Sequence, residues 1–339
     1  MKNLNLLIKP ASSSCNLRCK YYFYYDVADN REVKNFGIMN DETLENMVKR
    51  VFEDVEYSAN FAFQGGEPTV AGIEYFKKYN YLIGVSLDGN KNIHDTFRVD
   101  ANGEGTFSRV LKATKMLTKA GVEFNILCVV NKLIAQNGKL IYNFFKNNGF
   151  RYYQFIPCLD ALNCSKEEDY TLTAEDYGKF LDETFNLWAD DILSGKRISI
   201  RHFDNYTKII LGEAPEACDM VGHCNMNAVL ESDGSMYPCD FYVLDEYKVG
   251  NVNESSFVEL FTSEKEQEFL NSSLKVNDKC KTCDYFKICR GGCRRHKDLM
   301  EDGTYENRFC QSYKYFFEKN IDRMVEVARY ILKVRSENR

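Results

Sequence analysis

Long apolar runs are missing from this sequence, and histidine is scarce. No stretch approaches the roughly 18–20 apolar residues that a membrane-spanning helix needs, and the first ten residues are too few for the apolar region of a secretion signal. Only four of the 339 residues are histidines, and no two of them have the spacing of a metal site. These absences argue against a membrane protein and against a histidine-ligated metal, and they predict a cytoplasmic chain.

The sequence also lacks the excess of positive charge that broad nucleic-acid binding requires. Lys and Arg together number 44 and Asp and Glu together number 50, so the formal net charge is −6. We therefore expect no nucleic-acid partner. The apolar fraction of 44% excludes wholesale disorder, and the length allows one large domain or two modest ones.

Cysteine is the residue type that the sequence has in excess. Thirteen are present, and eight of them are clustered between Cys218 and Cys310. In a reducing compartment, clustered thiols are more often metal ligands than disulfides. Eight thiolates are enough for two tetrathiolate sites, and their spacing alone leaves iron–sulfur clusters, zinc and unligated thiols open. The eight are Cys218, Cys224, Cys239, Cys280, Cys283, Cys289, Cys293 and Cys310.

The first two-thirds of the chain alternates short apolar strands with amphipathic helices. A predicted strand over residues 4–9 precedes a predicted helix over 39–55, which Asn40 can cap. Another predicted helix, over 107–120, precedes a strand over 122–130. Such βα units predict a parallel sheet or barrel, with functional groups at the carboxyl ends of the strands.

The pattern changes near Cys218, where helical periodicity fades. Asp233-Gly234 predicts the turn of a β-hairpin, and a helix is expected over residues 256–270. Residues 321–332 have the apolar periodicity of an amphipathic helix.

The first cysteines of the chain carry a recognisable motif. Cys15 and Cys19, with three residues between them, directly follow the first predicted strand. This segment resembles the Cys-x3-Cys-x2-Cys loop of the radical S-adenosylmethionine (AdoMet) enzymes, in which three thiolates leave one iron of a four-iron cluster open for the cofactor. The third position here is Tyr22. Over nearly the whole chain, the sequence is similar to the anaerobic sulfatase-maturating enzymes, a radical AdoMet family with a cysteine-rich SPASM extension. The segments that carry this similarity are IKPASSSCNLRCKYYFYYD, FAFQGGEPT, GVSLDG, EFNILCVV, ESDGSMYPCDFYVLD and CRGGCRR.

The resemblance implies an α/β fold: a partial (β/α)6 radical AdoMet barrel followed by a SPASM region with a β-hairpin and helices. The expected domains are a core over residues 1–215, a SPASM domain over 216–313 and a C-terminal helix over 314–339. The family has an additional strand and helix between the positions of Glu67 and Ser86, which only 18 residues separate here. We therefore expect the barrel to lack one βα unit.

The resemblance also implies an activity. The family oxidises the cysteine or serine of a sulfatase's Cys/Ser-x-Pro-x-Arg motif to Cα-formylglycine, with AdoMet and [4Fe–4S] clusters, two auxiliary and one N-terminal. The expected partners are the sulfatase polypeptide and a low-potential electron donor such as ferredoxin or flavodoxin, with no membrane, and the protein is expected to be a monomer. Tyr22 and the missing unit favour an alternative: a catalytically degenerate paralogue that keeps the auxiliary clusters and binds peptides or carries electrons.

The family's cluster ligands correspond to cysteines of this chain. In this correspondence the N-terminal cluster has Cys15 and Cys19, with Tyr22 at the third ligand position. One auxiliary cluster has Cys218, Cys224, Cys239 and Cys293, and the other has Cys280, Cys283, Cys289 and Cys310.

The catalytic and cofactor-binding positions are also implied by the resemblance. Asp240, beside Cys239, matches the general base that removes the proton of the substrate side chain. Tyr24 matches an aromatic residue near the substrate. The positions that bind AdoMet are Gln64, Gly65, Gly66, Glu67, Ser86, Arg98 and Leu159.

Overall fold

The computed structural model describes residues 1–64, 73–162, 168–300 and 303–337. Its strands form a five-stranded sheet, a four-stranded sheet and a short hairpin. The strands are β1 (Asn3–Lys9), β2 (Ser58–Phe63), β3 (Ile83–Ser86), β4 (Phe124–Val130), β5 (Tyr152–Pro157), β6 (Ser199–Ile200), β7 (Ala228–Glu231), β8 (Ser235–Tyr237), β9 (Gly250–Asn251), β10 (Lys297–Leu299) and β11 (Tyr305–Asn307).

Helices separate the parallel strands, as the βα pattern predicts. They are α1 (Phe23–Asp29), α2 (Asp41–Asp54), α3 (Ile73–Lys78), α4 (Lys91–Phe97), α5 (Phe107–Ala120), α6 (Lys132–Ala135), α7 (Gly138–Asn147), α8 (Ala174–Leu193), α9 (Arg201–Ile210), α10 (Phe257–Phe261), α11 (Glu264–Ser272), α12 (Asp278–Lys281), α13 (Phe286–Cys289) and α14 (Cys310–Glu337). Among the described residues, no helix is long and apolar enough to cross a membrane.

Local capping explains where several helices begin and end. The side chain of Asn40 accepts a hydrogen bond from the backbone N–H of Thr43 at 2.8 Å, which starts α2 as predicted. Helix α5 ends at Gly121, whose φ of 65° suits glycine best. The single helix expected over residues 256–270 is wrong, because Ser263 accepts from the N–H of Glu266 and so begins α11 as a separate helix.

The five-stranded sheet joins the first two strands of the expected barrel to the cysteine-rich region. Its order is β2-β1-β7-β8-β9, and β1 pairs in parallel with both β2 and β7. The hairpin of β7 and β8 turns at Asp233-Gly234, as predicted. The first strand therefore fixes the position of the segment that follows β8, which contains Cys239 and Asp240.

The parallel strands are divided between two sheets at the point where one βα unit was expected to be missing. Strands β3, β4, β5 and β6 form a separate parallel sheet, and β2 lies at the edge of the other sheet. Between β2 and β3 the described residues contain only α3. The side chains of Phe61 and Phe63 on β2 are 43% and 53% exposed. Within the residues that the structure describes, the expected barrel is therefore interrupted between β2 and β3.

The main core lies between the four-stranded sheet and helices α7, α8, α9 and α14. Its largest fully buried side chains include Trp188, Phe185 and Phe203, whose ring centroids lie within 5.7 Å of one another. A second core lies between β1, β7, α2 and α10. Helix α14 begins at Cys310, before residue 314; the domain boundaries given above remain a prediction.

Candidate active site and auxiliary cysteine sites

The first two cysteines lie in the loop between β1 and α1, and this loop is tied to the end of α4. The backbone N–H of Lys20 donates to the carbonyl oxygen of Phe97 at 3.0 Å. Arg98 follows, and its Nη1 lies 3.9 Å from the Sγ of Cys19. Burial raises the pKa of Cys19, and the positive charge of Arg98 opposes the rise. The charge of Cys15 raises the same pKa.

Arg98 is held in place by a buried carboxylate. Its Nε donates to Oδ2 of Asp88 at 2.6 Å, and the hydroxyl of Tyr21 donates to the same oxygen. The backbone N–H of Val129 donates to the other oxygen, Oδ1, at 3.0 Å. Burial lowers the pKa of Arg98, but the charges of Asp88, Tyr21 and Cys19 and the hydrogen bond to Asp88 together raise it. The guanidinium therefore stays charged beside Cys19.

Tyr22 occupies the third ligand position, and its surroundings keep it neutral. Burial raises the pKa of Tyr22 well above its usual value, and the nearby charges of Cys15 and Asp240 raise it further. Its ring packs edge-on against that of Tyr25, with the centroids 5.0 Å apart. A neutral phenol is a poor iron ligand beside thiolates. The loop therefore supplies two thiolates, and its residues do not fit a four-iron cluster with three protein ligands.

A buried lysine, for which no role was predicted, joins three of the predicted site residues. The Nζ of Lys9 lies 2.7 Å from Oδ1 of Asp240 and 3.6 Å from the ring centroid of Tyr24, and it donates to Oε1 of Gln64. Its side chain is fully buried, and a buried ammonium group needs such partners because it has lost its water. The signal in the sequence is its place at the carboxyl end of the first strand, directly before the cysteine loop.

A second buried ion pair lies behind Tyr24. Arg31 Nη1 donates to Oε1 of Glu231 at 3.0 Å and to the hydroxyl oxygen of Tyr24 at 3.2 Å. Both charged side chains are fully buried. Burial raises the pKa of Glu231 to about 7, and the charge of Lys9 opposes the rise. Lys9 thus contacts the ring face of Tyr24 and Arg31 contacts its hydroxyl, so two cations hold this side chain in place.

The predicted cofactor positions that the structure describes lie at the carboxyl ends of strands or beside Cys19. Gln64 directly follows β2, and its backbone N–H donates to the carbonyl oxygen of Ile8 at 2.9 Å. Ser86 ends β3 and Leu159 follows β5. Arg98 lies beside Cys19, as given above. The remaining predicted positions, Gly65, Gly66 and Glu67, lie outside the described residues.

The loop after β5 is tied to the cysteine-rich region. Arg308 Nη1 lies 2.7 Å from Oδ2 of Asp160, and Arg295 Nη2 donates to the carbonyl oxygen of Asp160 at 3.2 Å. The backbone N–H of Arg295 donates to the Sγ of Cys293 at 3.4 Å. Arg295 therefore contacts both Asp160, the neighbour of Leu159, and Cys293, a predicted auxiliary ligand.

The four cysteines predicted for the first auxiliary site act on one another electrostatically. Burial raises the pKa of Cys239, and the charges of Cys293 and Cys224 raise it further. Burial raises the pKa of Cys293 to about 12, with Cys224 and Cys218 adding to the rise. The Nδ2 of Asn227 donates to the Sγ of Cys218 at 3.2 Å. These mutual effects are consistent with one site, and the grouping of the four thiols stays a prediction.

In the second predicted site, too, the charges of neighbouring cysteines raise the pKa of a buried thiol. Burial raises the pKa of Cys289 to about 11, and the charges of Cys310, Cys280 and Cys283 raise it further. Three of the cysteines predicted for this site, Cys280, Cys289 and Cys310, line a small pocket of about 30 Å³ that opens to solvent.

The chemistry of both donor sets fits an iron–sulfur cluster. Neighbouring buried thiols do not all ionise by themselves, because each negative charge raises the pKa of the next. Bound iron supplies the positive charge that allows thiols to lose their protons. In the part of the chain that the structure describes, no three His, Cys, Asp or Glu side chains form a site for a single metal ion. A four-iron cluster instead needs its thiolates arranged around a cubane.

Comparison with known proteins defines the class and then the family. Residues 218–284 match the SPASM model, an iron-sulfur cluster-binding domain. With the parallel α/β core, this defines an iron–sulfur protein built on a SPASM domain. A cysteine-type anaerobic sulfatase-maturating enzyme of Clostridium novyi is 47% identical, over 97% of this chain and 98% of that relative. One from Clostridium perfringens is 46% identical, over 98% of this chain and 100% of that relative. This chain therefore belongs to the family of the anaerobic sulfatase-maturating enzymes.

Solved structures and a more distant relative agree with this assignment. The structure "Native anSMEcpe with bound AdoMet" matches with a TM-score of 0.89 and 44% identity, over 96% of this chain and 99% of that chain. A serine-type enzyme of Bacteroides thetaiotaomicron is 27% identical, over 94% of this chain and 89% of that relative. The alignment with the Clostridium novyi relative spans 367 positions, more than the 339 residues here. That relative therefore has residues that this chain lacks.

Proposed function

We propose that this chain acts on a sulfatase polypeptide and oxidises the cysteine of its Cys-x-Pro-x-Arg motif to Cα-formylglycine. The observation that carries the proposal is the carboxylate of Asp240, which Lys9 holds beside Tyr24 and Gln64 next to the predicted auxiliary ligand Cys239. Cysteine is proposed over serine because the cysteine-type relatives are 45–47% identical, against 27% for the serine-type ones.

In this reaction the protein's own residues move a proton and hold the reactants. Asp240 accepts the proton of the substrate thiol at Oδ2, since Oδ1 faces Lys9. Gln64, Ser86, Arg98 and Leu159, together with the Gly65–Glu67 segment, would hold AdoMet, which would supply the 5′-deoxyadenosyl group that takes up the hydrogen atom leaving the substrate's Cβ. With the proton on Asp240 and one electron removed, the substrate becomes a thioaldehyde, and water converts it to formylglycine with release of hydrogen sulfide. When bound at the two sets of four cysteines, iron–sulfur clusters supply a place for an electron that leaves the substrate. No step is assigned to an N-terminal cluster, because Cys15, Cys19 and Tyr22 do not fit one.

The remaining partners follow from this chemistry. A monomer would receive electrons from a low-potential carrier such as ferredoxin or flavodoxin. Twelve cysteines in the described part of the chain are free thiols, which persist in a reducing compartment, so we place the activity in the cytoplasm.

Tyr22 favours a second candidate function. With a buried, neutral phenol at the third ligand position, the chain would bind the sulfatase peptide and carry electrons through its auxiliary sites without cleaving AdoMet.

One experiment separates the two candidates. The anaerobically reconstituted protein is incubated with AdoMet, a strong reductant and a peptide containing Cys-x-Pro-x-Arg, and formylglycine is measured by mass spectrometry. The same peptide with alanine in place of cysteine is the control. Formylglycine from the cysteine peptide supports the maturase. Peptide binding without product supports the second candidate, and the absence of both contradicts both.

A further inference from the structure

Lys9 contacts three residues of the predicted active site, Asp240, Gln64 and Tyr24, whereas an ion pair needs only one partner. We propose that Lys9 is a positioning residue that fixes the Asp240 carboxylate against the substrate, so that the site prefers a thiol over a methyl group of similar size. This inference rests on the proposed function, and it adds a determinant of substrate specificity.

The contacts of Lys9 reach three separate segments of the chain. From the end of β1, its Nζ lies 2.7 Å from Oδ1 of Asp240, in the turn after β8. It donates to the side chain of Gln64, which follows β2, and lies over the ring of Tyr24 in α1, 3.6 Å from the centroid. The base, a predicted AdoMet ligand and the substrate-side aromatic residue are therefore all held by one ammonium group.

The geometry leaves one oxygen of Asp240 for the substrate. Lys9 is fully buried, whereas the side chain of Asp240 is 19% exposed. Oδ1 faces Lys9, so Oδ2 is the oxygen that an entering thiol can reach. An ionised acceptor forms a stronger hydrogen bond than a neutral one, and a fixed acceptor loses less conformational entropy when it binds.

A purely structural role for Lys9 would be to neutralise Glu231, the other buried carboxylate nearby. Glu231 already has its own partner, because Arg31 Nη1 lies 3.0 Å from its Oε1. The two cations and two carboxylates therefore form two pairs, and Asp240 is the direct ionic partner of Lys9. Loss of the Lys9 charge would act first on Asp240.

The test is a binding measurement that needs neither AdoMet nor turnover. The protein is loaded with iron and sulfide, and calorimetry measures the affinity of two peptides that differ only at the target residue, which is cysteine or 2-aminobutyrate. These side chains have similar size, but only cysteine has an S–H donor. The unmodified protein is expected to bind the cysteine peptide about fivefold more tightly, the effect of one modest hydrogen bond.

The variants distinguish positioning from general stability. In Lys9→Met the preference is expected to fall from about fivefold to none, while the 2-aminobutyrate peptide keeps its affinity. Lys9→Arg keeps the charge and is expected to restore part of the preference. Asp240→Asn is expected to lose the preference, and adding Lys9→Met to it should change nothing more. If circular dichroism shows that Lys9→Met is unfolded, Lys9→Gln replaces it with the same expectation.

The outcomes separate this inference from the function on which it rests. A protein that binds neither peptide contradicts the proposed function. Equal affinity for both peptides in the unmodified protein shows that Asp240 does not contact the thiol, which overturns the inference. A full cysteine preference in a folded Lys9→Met or Lys9→Gln variant overturns it as well.

Discussion

Arg98 donates from its Nε to Oδ2 of Asp88 at 2.6 Å, and both side chains are almost completely buried. The pair lies at the end of the cysteine loop, with the Arg98 Nη1 3.9 Å from the Sγ of Cys19. Because Asp88 follows β3 and Arg98 follows α4, this ion pair orients a cation toward the loop that carries the first cysteines.

Removing the carboxylate should destabilise the protein strongly. We expect Asp88→Ala to lower the free energy of unfolding by about 3–5 kcal/mol, because it leaves the Arg98 charge buried without its partner. Urea unfolding of the iron-free protein measures the change. Glu175→Ala is the matched control, since Glu175 pairs with Lys179 on the surface and its loss should cost about 1 kcal/mol or less. Equal losses in the two variants would contradict the assigned role of Asp88.

Tyr22→Cys should complete the N-terminal set of thiolates. We expect the iron content after anaerobic reconstitution to rise by about four per chain, as a full cubane requires. If the second candidate function holds, the unchanged chain makes little 5′-deoxyadenosine from AdoMet, because its phenol stays protonated; the maturase requires this product. Tyr22→Ser is the control: it removes the ring but adds no thiolate, so it should add no iron.

Measuring the cleavage of AdoMet in the same variants tests the argument about the third cluster ligand. Full cleavage of AdoMet by the unchanged protein would show that the ligand argument is wrong. Added iron without cleavage activity in Tyr22→Cys would place the defect in the interrupted barrel, between β2 and β3.

The two auxiliary sets should lose iron independently. Cys293→Ser is expected to remove about four irons per chain, and adding Cys218→Ser, in the same set, should remove no more. Adding Cys283→Ser instead should bring the loss to about eight, because this residue belongs to the other set. Cys128→Ser, in the core strand β4, is the control and should keep all the iron. Losses of about eight in the first double variant would refute the proposed grouping.

His94 should make stability fall in acid. Burial lowers its pKa to about 4. The neutral ring also fits its neighbours, because Nδ1 accepts from the N–H of Asp88 at 3.2 Å and Nε2 contacts the hydroxyl of Thr106 at 2.9 Å. As pH falls below about 6.5, His94 becomes protonated in the unfolded chain but stays neutral in the folded chain, so the free energy of unfolding falls. We expect this residue to account for a loss of about 2 kcal/mol between pH 7.5 and pH 5.

Urea unfolding at the two pH values measures this loss. His94→Gln offers an oxygen and an N–H without a titrating ring, and it should be less stable at pH 7.5 but lose about 2 kcal/mol less on acidification. The same pH dependence in both proteins would show that His94 is not responsible.

Much of the fold follows from local features of the sequence. The periodicity of apolar residues and the caps at Asn40 and Gly121 predicted helices α2 and α5 with nearly correct ends, because these signals act within a few residues. The break between α10 and α11 was missed. The apolar spacing continues across it, and only the capping bond of Ser263 ends one helix and begins the other.

The candidate site was predictable only where a motif carries it. Cys15, Cys19 and Asp240 stand in segments that resemble the family, and so they were found from the sequence. The buried network of Tyr21, Asp88 and Arg98 was not, apart from Arg98, because its members are far apart in the chain and none has an unusual residue type.

By itself, the sequence determined the family, the alternation of strands and helices in the first two-thirds, the place of the missing βα unit and the supply of thiols, because motifs and periodicity are properties of short segments. Only the tertiary structure decided that β2 and β3 lie in different sheets and that Lys9 meets Asp240, Gln64 and Tyr24. The physical reason is that a buried charge takes its partners from whatever the packing brings near, and the pairing of β1 with both β2 and β7 brings these distant segments to one place.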